Sequence, residues 1–402
     1  MKKILALLLA LVMVLGLVAC ASSEKPAEEP KTEEPAATEP AAEEPAAEEP
    51  AAEEPAAEEP AEEPAAEAII KKVALVTDVG TIDDESFNQA TWQGVVAYCE
   101  ANNIEYTYYQ PTDDSNDARC ISIDQAVAEG ANVVVMPGFL FGVALIYEQD
   151  KYPDVYFLAI DVGAGDLTED YVTYYEPSAN TVCATFAEEQ AGYLAGYAVV
   201  MDGYTKLGFL GGMAVPAVIR YGYGFLQGAR DAAAELGVDV SCNYTYGGQF
   251  YGDANITAKM EGWYAGGTEI VFACGGGIYT SAVEAANLHG GKVVGVDVDQ
   301  SYIDPCIVTS AMKGLQNVTE TILAELNAGN WSNYSGKFMT YSLTEGDYVG
   351  IPTAEGSWRF DSFTVEQYEA VKGAIMSGSI TVDNNSDNAY PEIEGIAVTY
   401  VD

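Results

Sequence analysis

The sequence is poor in basic residues and nearly without histidine. It has 17 lysines and arginines against 62 aspartates and glutamates, and one histidine, His289. The formal net charge of −45 repels nucleic acid and phosphorylated ligands, so a neutral or cationic small molecule is the expected partner. The chain also lacks a Gly-x-Ser-x-Gly elbow, and its lone imidazole lies late in a candidate helix, which argues against a histidine-based hydrolase. With no Cys-x-x-Cys pair and no second histidine, a zinc site is not expected. The glycine clusters complete neither a Walker loop nor a dinucleotide fingerprint, so no cofactor is expected. The run Asp383-Asn384-Asn385-Ser386-Asp387 with Glu394 imitates a calcium loop. Asn388 stands at the glycine position and Pro391 interrupts it, so a polar turn is the better reading.

The first apolar stretch, Ile4–Val18, is too short to span a bilayer comfortably and follows Lys2 and Lys3. It ends in Leu17-Val18-Ala19-Cys20, which resembles a bacterial lipobox. Residues 1–20 therefore read as a lipoprotein signal peptide, with Cys20 as the lipidated residue and the membrane reached through that anchor. Residues 21–68 repeat Pro-Ala-Ala-Glu-Glu without an aromatic residue. That composition predicts a disordered, extended acidic tether, because it offers too little apolar surface to offset ordering entropy. The other six cysteines are far apart, several inside apolar runs, where a buried thiol is the default. An extracytoplasmic location would permit disulfides, but spacing does not pair them.

From Lys71 onward, short apolar runs alternate with amphipathic segments, the pattern of parallel sheets covered on both faces. Candidate strands include 73–77, 105–109, 132–136, 155–160 and 172–175. After a helix over 181–201 the pattern restarts with 207–210, 241–246, 270–273, 293–296 and 307–309. So many strands exceed one typical sheet, and two doubly wound α/β lobes are the economical reading. Ligands of such sheets bind beyond the carboxyl ends of the strands. The loops there include Asp78–Asp84, Pro137–Phe139, Gly211–Met213, Gly275–Gly277 and Asp297–Gln300.

The segment 73–96, VALVTDVGTIDDESFNQATWQGVV, resembles the opening of the basic membrane lipoprotein family, the purine nucleoside receptor A-like binding lipoproteins of ABC transporters. Similarity continues through 188–196, 207–212, 295–300 and 309–313, and spans about 70–380. The resemblance implies a type I periplasmic-binding-protein fold with three crossings between lobes. The expected first lobe comprises 69–180 and 301–330, and the second 181–300 and 331–402. It also implies a purine nucleoside or similar small neutral ligand, an ABC permease with ATPase subunits as partners, and a monomer.

Roles carried over by the resemblance agree with residue chemistry. Phe87 and Tyr221 would clamp a base, with Tyr223 an alternative ring, at ~1–3 kcal/mol per stacking contact. Asn88 and Asp78 suit a purine edge, Asp297 and Lys313 the sugar, and Gly275 and Gly276 a close backbone approach. Core packing of the rings, helix capping by Asn88 and plain salt bridges are the structural alternatives. Two other functions stay open beside transport binding: a sugar or other polar metabolite in the same cleft, and a ligand sensor. A nucleosidase using Asp83-Asp84 or Asp297/Asp299 is the enzymatic alternative, and the reading is that the protein is no enzyme.

Overall fold

The computed structural model describes residues 69–401; the leader, Cys20 and the tether lie outside the described residues. In chain order the elements are β1 (Lys72–Val76), α1 (Phe87–Asn102), β2 (Glu105–Tyr109), α2 (Asn116–Ala128), β3 (Val133–Pro137), α3 (Gly142–Lys151), β4 (Tyr156–Ile160) and β5 (Thr181–Phe186). Then follow α4 (Glu188–Met201), β6 (Lys206–Gly211), α5 (Pro216–Leu236), β7 (Ser241–Tyr246), α6 (Ala254–Ala265), β8 (Ile270–Cys274), α7 (Tyr279–His289) and β9 (Lys292–Asp297). The chain ends with β10 (Ile307–Lys313), α8 (Leu315–Asn327), β11 (Lys337–Tyr341), β12 (Val349–Gly350), α9 (Val365–Met376) and β13 (Ala397–Tyr400). Among the described residues no helix is long and apolar enough to cross a membrane, and the six cysteines are unpaired.

Two sheets result, ordered β11-β5-β4-β3-β1-β2 and β12-β10-β9-β8-β6-β7-β13. Every pairing is parallel except β12 against β10. The inner strands are buried along nearly their whole length, as helices on both faces require. Helix starts follow local chemistry: Ser115 caps α2, Asp253 caps α6, and Thr364 with Gln367 forms a capping box on α9.

Sheet membership differs from the expected division. The segment 181–201 is not one helix: Thr181–Phe186, rich in β-branched residues, pairs with β4 in the first sheet, and α4 starts only at Glu188. The segment 307–313 stays in the second sheet beside β9, so residues return to the first lobe only from α8, which lies against α1 where Gly94 meets Gln316 and Thr319. Lys337–Tyr341 pairs with β5 in the first sheet. The three crossings therefore fall between Phe186 and Glu188, at Gly314, and between Tyr341 and Val349. The run 172–175 is no strand. Asp170 accepts hydrogen bonds from the amides of Val172 and Thr173, folding the segment into a turn that leaves Val172 exposed.

Glycines set the closest contact in the second lobe. On α4, a Cβ at Gly192 or Gly196 would meet the carbonyls of Tyr221 and Phe225 at 2.2 and 2.0 Å. On α5, a Cβ at Gly224 or Gly228 would meet those of Glu189 and Tyr193 at 2.1 and 2.0 Å. The two helices thus touch backbone to backbone, which only glycine permits. Gly228→Val and Gly196→Val should each cost about 2–3 kcal/mol or more, read as a lowered denaturation midpoint. Gly262→Ala, on an open face of α6, should instead be neutral or slightly stabilising.

Candidate ligand-binding cleft

The carboxyl ends of strands from both sheets converge on a cavity with about 630 Å³ of empty space. Seven of the eight expected residues line it: Asp78, Phe87, Asn88, Tyr221, Gly275, Asp297 and Lys313. Gly276 does not; its left-handed backbone (φ +48°) turns it against the Phe250 carbonyl instead. Tyr223 does not line it either. Two positions past Tyr221, about 200° around α5, it points away from the cavity, and its hydroxyl lies 3.4 Å from Asp383.

At the first-lobe end, Asp78 follows β1 and accepts the Gly80 amide at 2.8 Å and the Asn88 side-chain amide at 3.0 Å. Burial raises the Asp78 pKa, and these hydrogen bonds oppose the rise. Asp84 caps α1, accepting from the amides of Ser86, Asn88 and Gln89 at 2.9–3.1 Å. It relieves Asn88 of capping. The Asn88 carboxamide oxygen is buried with no partner, and Asn88 is part of the cavity wall. Glycine is required opposite: a Cβ on Gly138 (φ +122°) would fall 2.6 Å from the Asp78 carboxylate.

At the hinge end sits an ion cluster. Lys313 ends β10, and its buried ammonium pairs with Asp161, with Glu188 at 3.5 Å and with Asp297 at 3.9 Å. Arg220 holds Glu188 at 2.7 Å. Burial pushes the Asp161 carboxyl up to about 7 against the opposing pull of Lys313, and burial likewise raises Asp297. The Lys313 pKa moves up, because three carboxylates outweigh its desolvation. Its nitrogen also lies 4.6 Å from the Phe87 ring centroid, 5.5 Å from that of Phe186 and 5.8 Å from that of Tyr221, so the ammonium sits among three rings. Among the described residues lining the cavity, Lys313 is the only cation.

Sequence reasoning missed Asp161, Glu188 and two further rings, Phe139 and Phe250. A signal for Asp161 was present. Ile160-Asp161-Val162 after β4 repeats Val296-Asp297-Val298 after β9, and both aspartates are left-handed, at φ +60° and +65°.

Comparison with known proteins bears on this geometry. Residues 71–386 match the family described as ABC transporter substrate-binding protein, PnrA-like. The ABC transporter nucleoside-binding protein BmpA of Lactococcus lactis subsp. cremoris is 28% identical over 337 residues, covering 77% of this chain and 88% of that protein. Basic membrane protein A of Borreliella afzelii is 29% identical over 338 residues, covering 80% and 94%. Among solved structures, an ABC transporter solute-binding protein from Aeropyrum pernix superposes with a TM-score of 0.66 at 21% identity, covering 79% of this chain and 94% of that one. One from Conexibacter woesei gives 0.62 at 21% identity, covering 78% and 99%. The fold is that of type I periplasmic binding proteins.

Glu189, beside the cluster, supplies a stability test. Burial foremost, and Glu188 next, push its carboxyl up to about 7, and one oxygen has no partner. Because the folded pKa exceeds the unfolded value, stability falls as pH rises from about 4.5 to about 7 and stays reduced above. Glu189→Gln should therefore match the parent near pH 4 and exceed it near pH 8, by on the order of 2 kcal/mol, in denaturant titrations at both pH values.

Proposed function

We propose that this chain, which belongs to the PnrA-like family of ABC transporter substrate-binding proteins, captures a purine nucleoside in the cleft between its lobes. The observation that carries the proposal is that Phe87 of the first lobe and Tyr221 of the second both line the cavity, their ring centroids 4.6 and 5.8 Å from the Lys313 ammonium, with hydrogen-bonding groups at both ends. A flat base stacks between the rings. At the first-lobe end, the buried Asn88 oxygen and the Asp78 carboxylate are acceptors, suited to a base edge that presents N–H donors. At the hinge end, Asp297 accepts from the sugar hydroxyls and Lys313 donates to a sugar oxygen.

Phosphate is unwelcome there. Three carboxylates surround Lys313, and Arg220 is engaged by Glu188, so no cation is left over for a phosphoryl group. The ligand is a nucleoside and not a nucleotide. Membership of the family supports a location outside the cytoplasm. Tethering through a lipid on Cys20, action as a monomer and delivery to a permease with ATPase subunits complete the proposal.

Thermal melting with a ligand panel tests it. Guanosine, inosine or adenosine should raise the melting temperature, while ribose and guanosine monophosphate should not. Stabilisation by free sugars but by no nucleoside would transfer the assignment to a sugar. Phe87→Ala should weaken nucleoside binding roughly 5- to 150-fold by titration calorimetry. An unchanged affinity would remove the stacking role.

A further inference from the structure

Beyond the ligand cavity, three hydrogen bonds join the lobes directly. The Ser86 hydroxyl donates to Asp297 at 2.6 Å, the Gln300 side-chain amide donates to the Glu85 carbonyl at 2.9 Å, and the Tyr302 hydroxyl donates to the Glu85 carboxylate. Glu85 and Ser86 belong to the loop before α1 of the first lobe; Asp297, Gln300 and Tyr302 follow the β9 strand of the second. None of Glu85, Ser86, Gln300 or Tyr302 lines the cavity.

Both halves are built before they meet. On the first-lobe side, Asp84 takes the capping role at α1, which leaves the Ser86 hydroxyl free to reach across. Glu85 is held left-handed, at φ +53°, with its amide on the Gln89 oxygen at 2.9 Å and its carboxylate on the Gln89 amide at 3.1 Å. That conformation is unfavourable for a non-glycine residue and turns both its carbonyl and its carboxylate toward the second lobe. On the other side Gln300 is fully buried. Its oxygen accepts the Val296 amide at 3.0 Å, and its own amide donates to Ser310 at 3.0 Å. Only its side-chain NH2 remains, and this group makes the crossing bond.

We infer that Glu85, Ser86, Gln300 and Tyr302 form a clasp that sets ligand affinity by holding the lobes closed without touching the ligand. They are positioning residues. The bonds exist only when the lobes meet, so each raises the closed fraction, and apparent affinity scales with that fraction. Ser86 has a second effect, because it fixes one oxygen of Asp297 and leaves the other toward Lys313 and the cavity.

The inference rests on the proposed nucleoside only for its affinity arm, and the test separates the two. Tyr302 is 64% exposed, so Tyr302→Phe removes one bond with no threat to folding. Gln300→Glu keeps the size of a buried residue but replaces the crossing donor with an acceptor facing the Glu85 carbonyl. Hydrogen–deuterium exchange of the full chain without ligand should show faster exchange at 84–90 and 298–302 in both variants, and unchanged exchange in the strands of either sheet. With guanosine as probe, stopped-flow dissociation should quicken about two- to tenfold for Tyr302→Phe, with association changed less than twofold. Exchange identical to the parent in the ligand-free variants overturns the clasp. If guanosine fails to bind the parent, the nucleoside assignment falls while the exchange result still decides the clasp.

Discussion

One buried ammonium organises this molecule. Lys313 lies at the end of β10, directly before the second crossing, and is surrounded by carboxylates from three separate segments. Asp161 directly follows β4 of the first lobe, Glu188 stands just past the first crossing, and Asp297 ends β9 of the second lobe. Removing water from such charges is costly unless each finds a partner, and taking away one partner leaves the others buried and unpaired. The cluster therefore tolerates one arrangement of the hinge strands. It also sets the field in the cleft: with Arg220 counted, two cations face three carboxylates, so one negative charge is in excess. Burial raises the Asp161 carboxyl to about 7 while the neighbouring Lys313 pulls it down. A cleft with this balance suits the neutral ligand proposed for it.

The glycine contact between α4 and α5 carries the cluster's geometry to the aromatic wall. Glu188 opens α4, whereas Arg220 and Tyr221 are neighbours on α5. Because the two helices meet backbone to backbone along Gly192, Gly196, Gly224 and Gly228, neither can slide without a clash. The position of the Tyr221 ring is thereby tied to the salt bridge between Arg220 and Glu188, and both to the first crossing. Binding surface and hinge are one packed unit. A shift at either is felt at the other.

Most of this was legible in the chain because parallel sheets write themselves as continuous apolar runs, and because clefts in such sheets lie at strand ends. The family motif around Asp78, Phe87 and Asn88 added the roles. Failures came where local and tertiary signals diverged. Thr181–Phe186 runs directly into a helical pattern, so the strand was absorbed into the helix; pairing with β4 and β11 made it a strand. Val172–Tyr175 has strand-forming residues, yet Asp170 diverts its amides into a turn. The place of 307–313 depended on which sheet edge was free, which no local pattern records. Asp161 was overlooked although it repeats the motif of Asp297, since the repeat is only three residues long. Gly276 lies off the cavity wall for a different reason: three successive glycines leave open which one lines the cavity, and the Phe250 backbone decides it.

Closure ties these parts to transport. A binding protein that hands its solute to an ABC transporter must distinguish loaded from empty, so contacts between lobes have to stay weaker than the ligand's own contribution. Three crossing hydrogen bonds at roughly 0.5–1.5 kcal/mol each sum to a few kcal/mol, before the entropy lost on joining the lobes is subtracted. Driving a two-state equilibrium from almost wholly open to almost wholly closed takes about 5.5 kcal/mol. Two stacking contacts at ~1–3 kcal/mol each to the proposed nucleoside, with hydrogen bonds at both its ends, would reach that range, and the three clasp bonds alone do not. This partition, with buried bonds at Ser86 and Gln300, an exposed one at Tyr302 and an aromatic-lined cavity outside them, leaves the proposed ligand as the deciding contribution. It also explains why Asp297 is shared between the two systems. The carboxylate that Ser86 engages on closing is the one proposed to hold the sugar, so closing the lobes and orienting the ligand's acceptor are a single event.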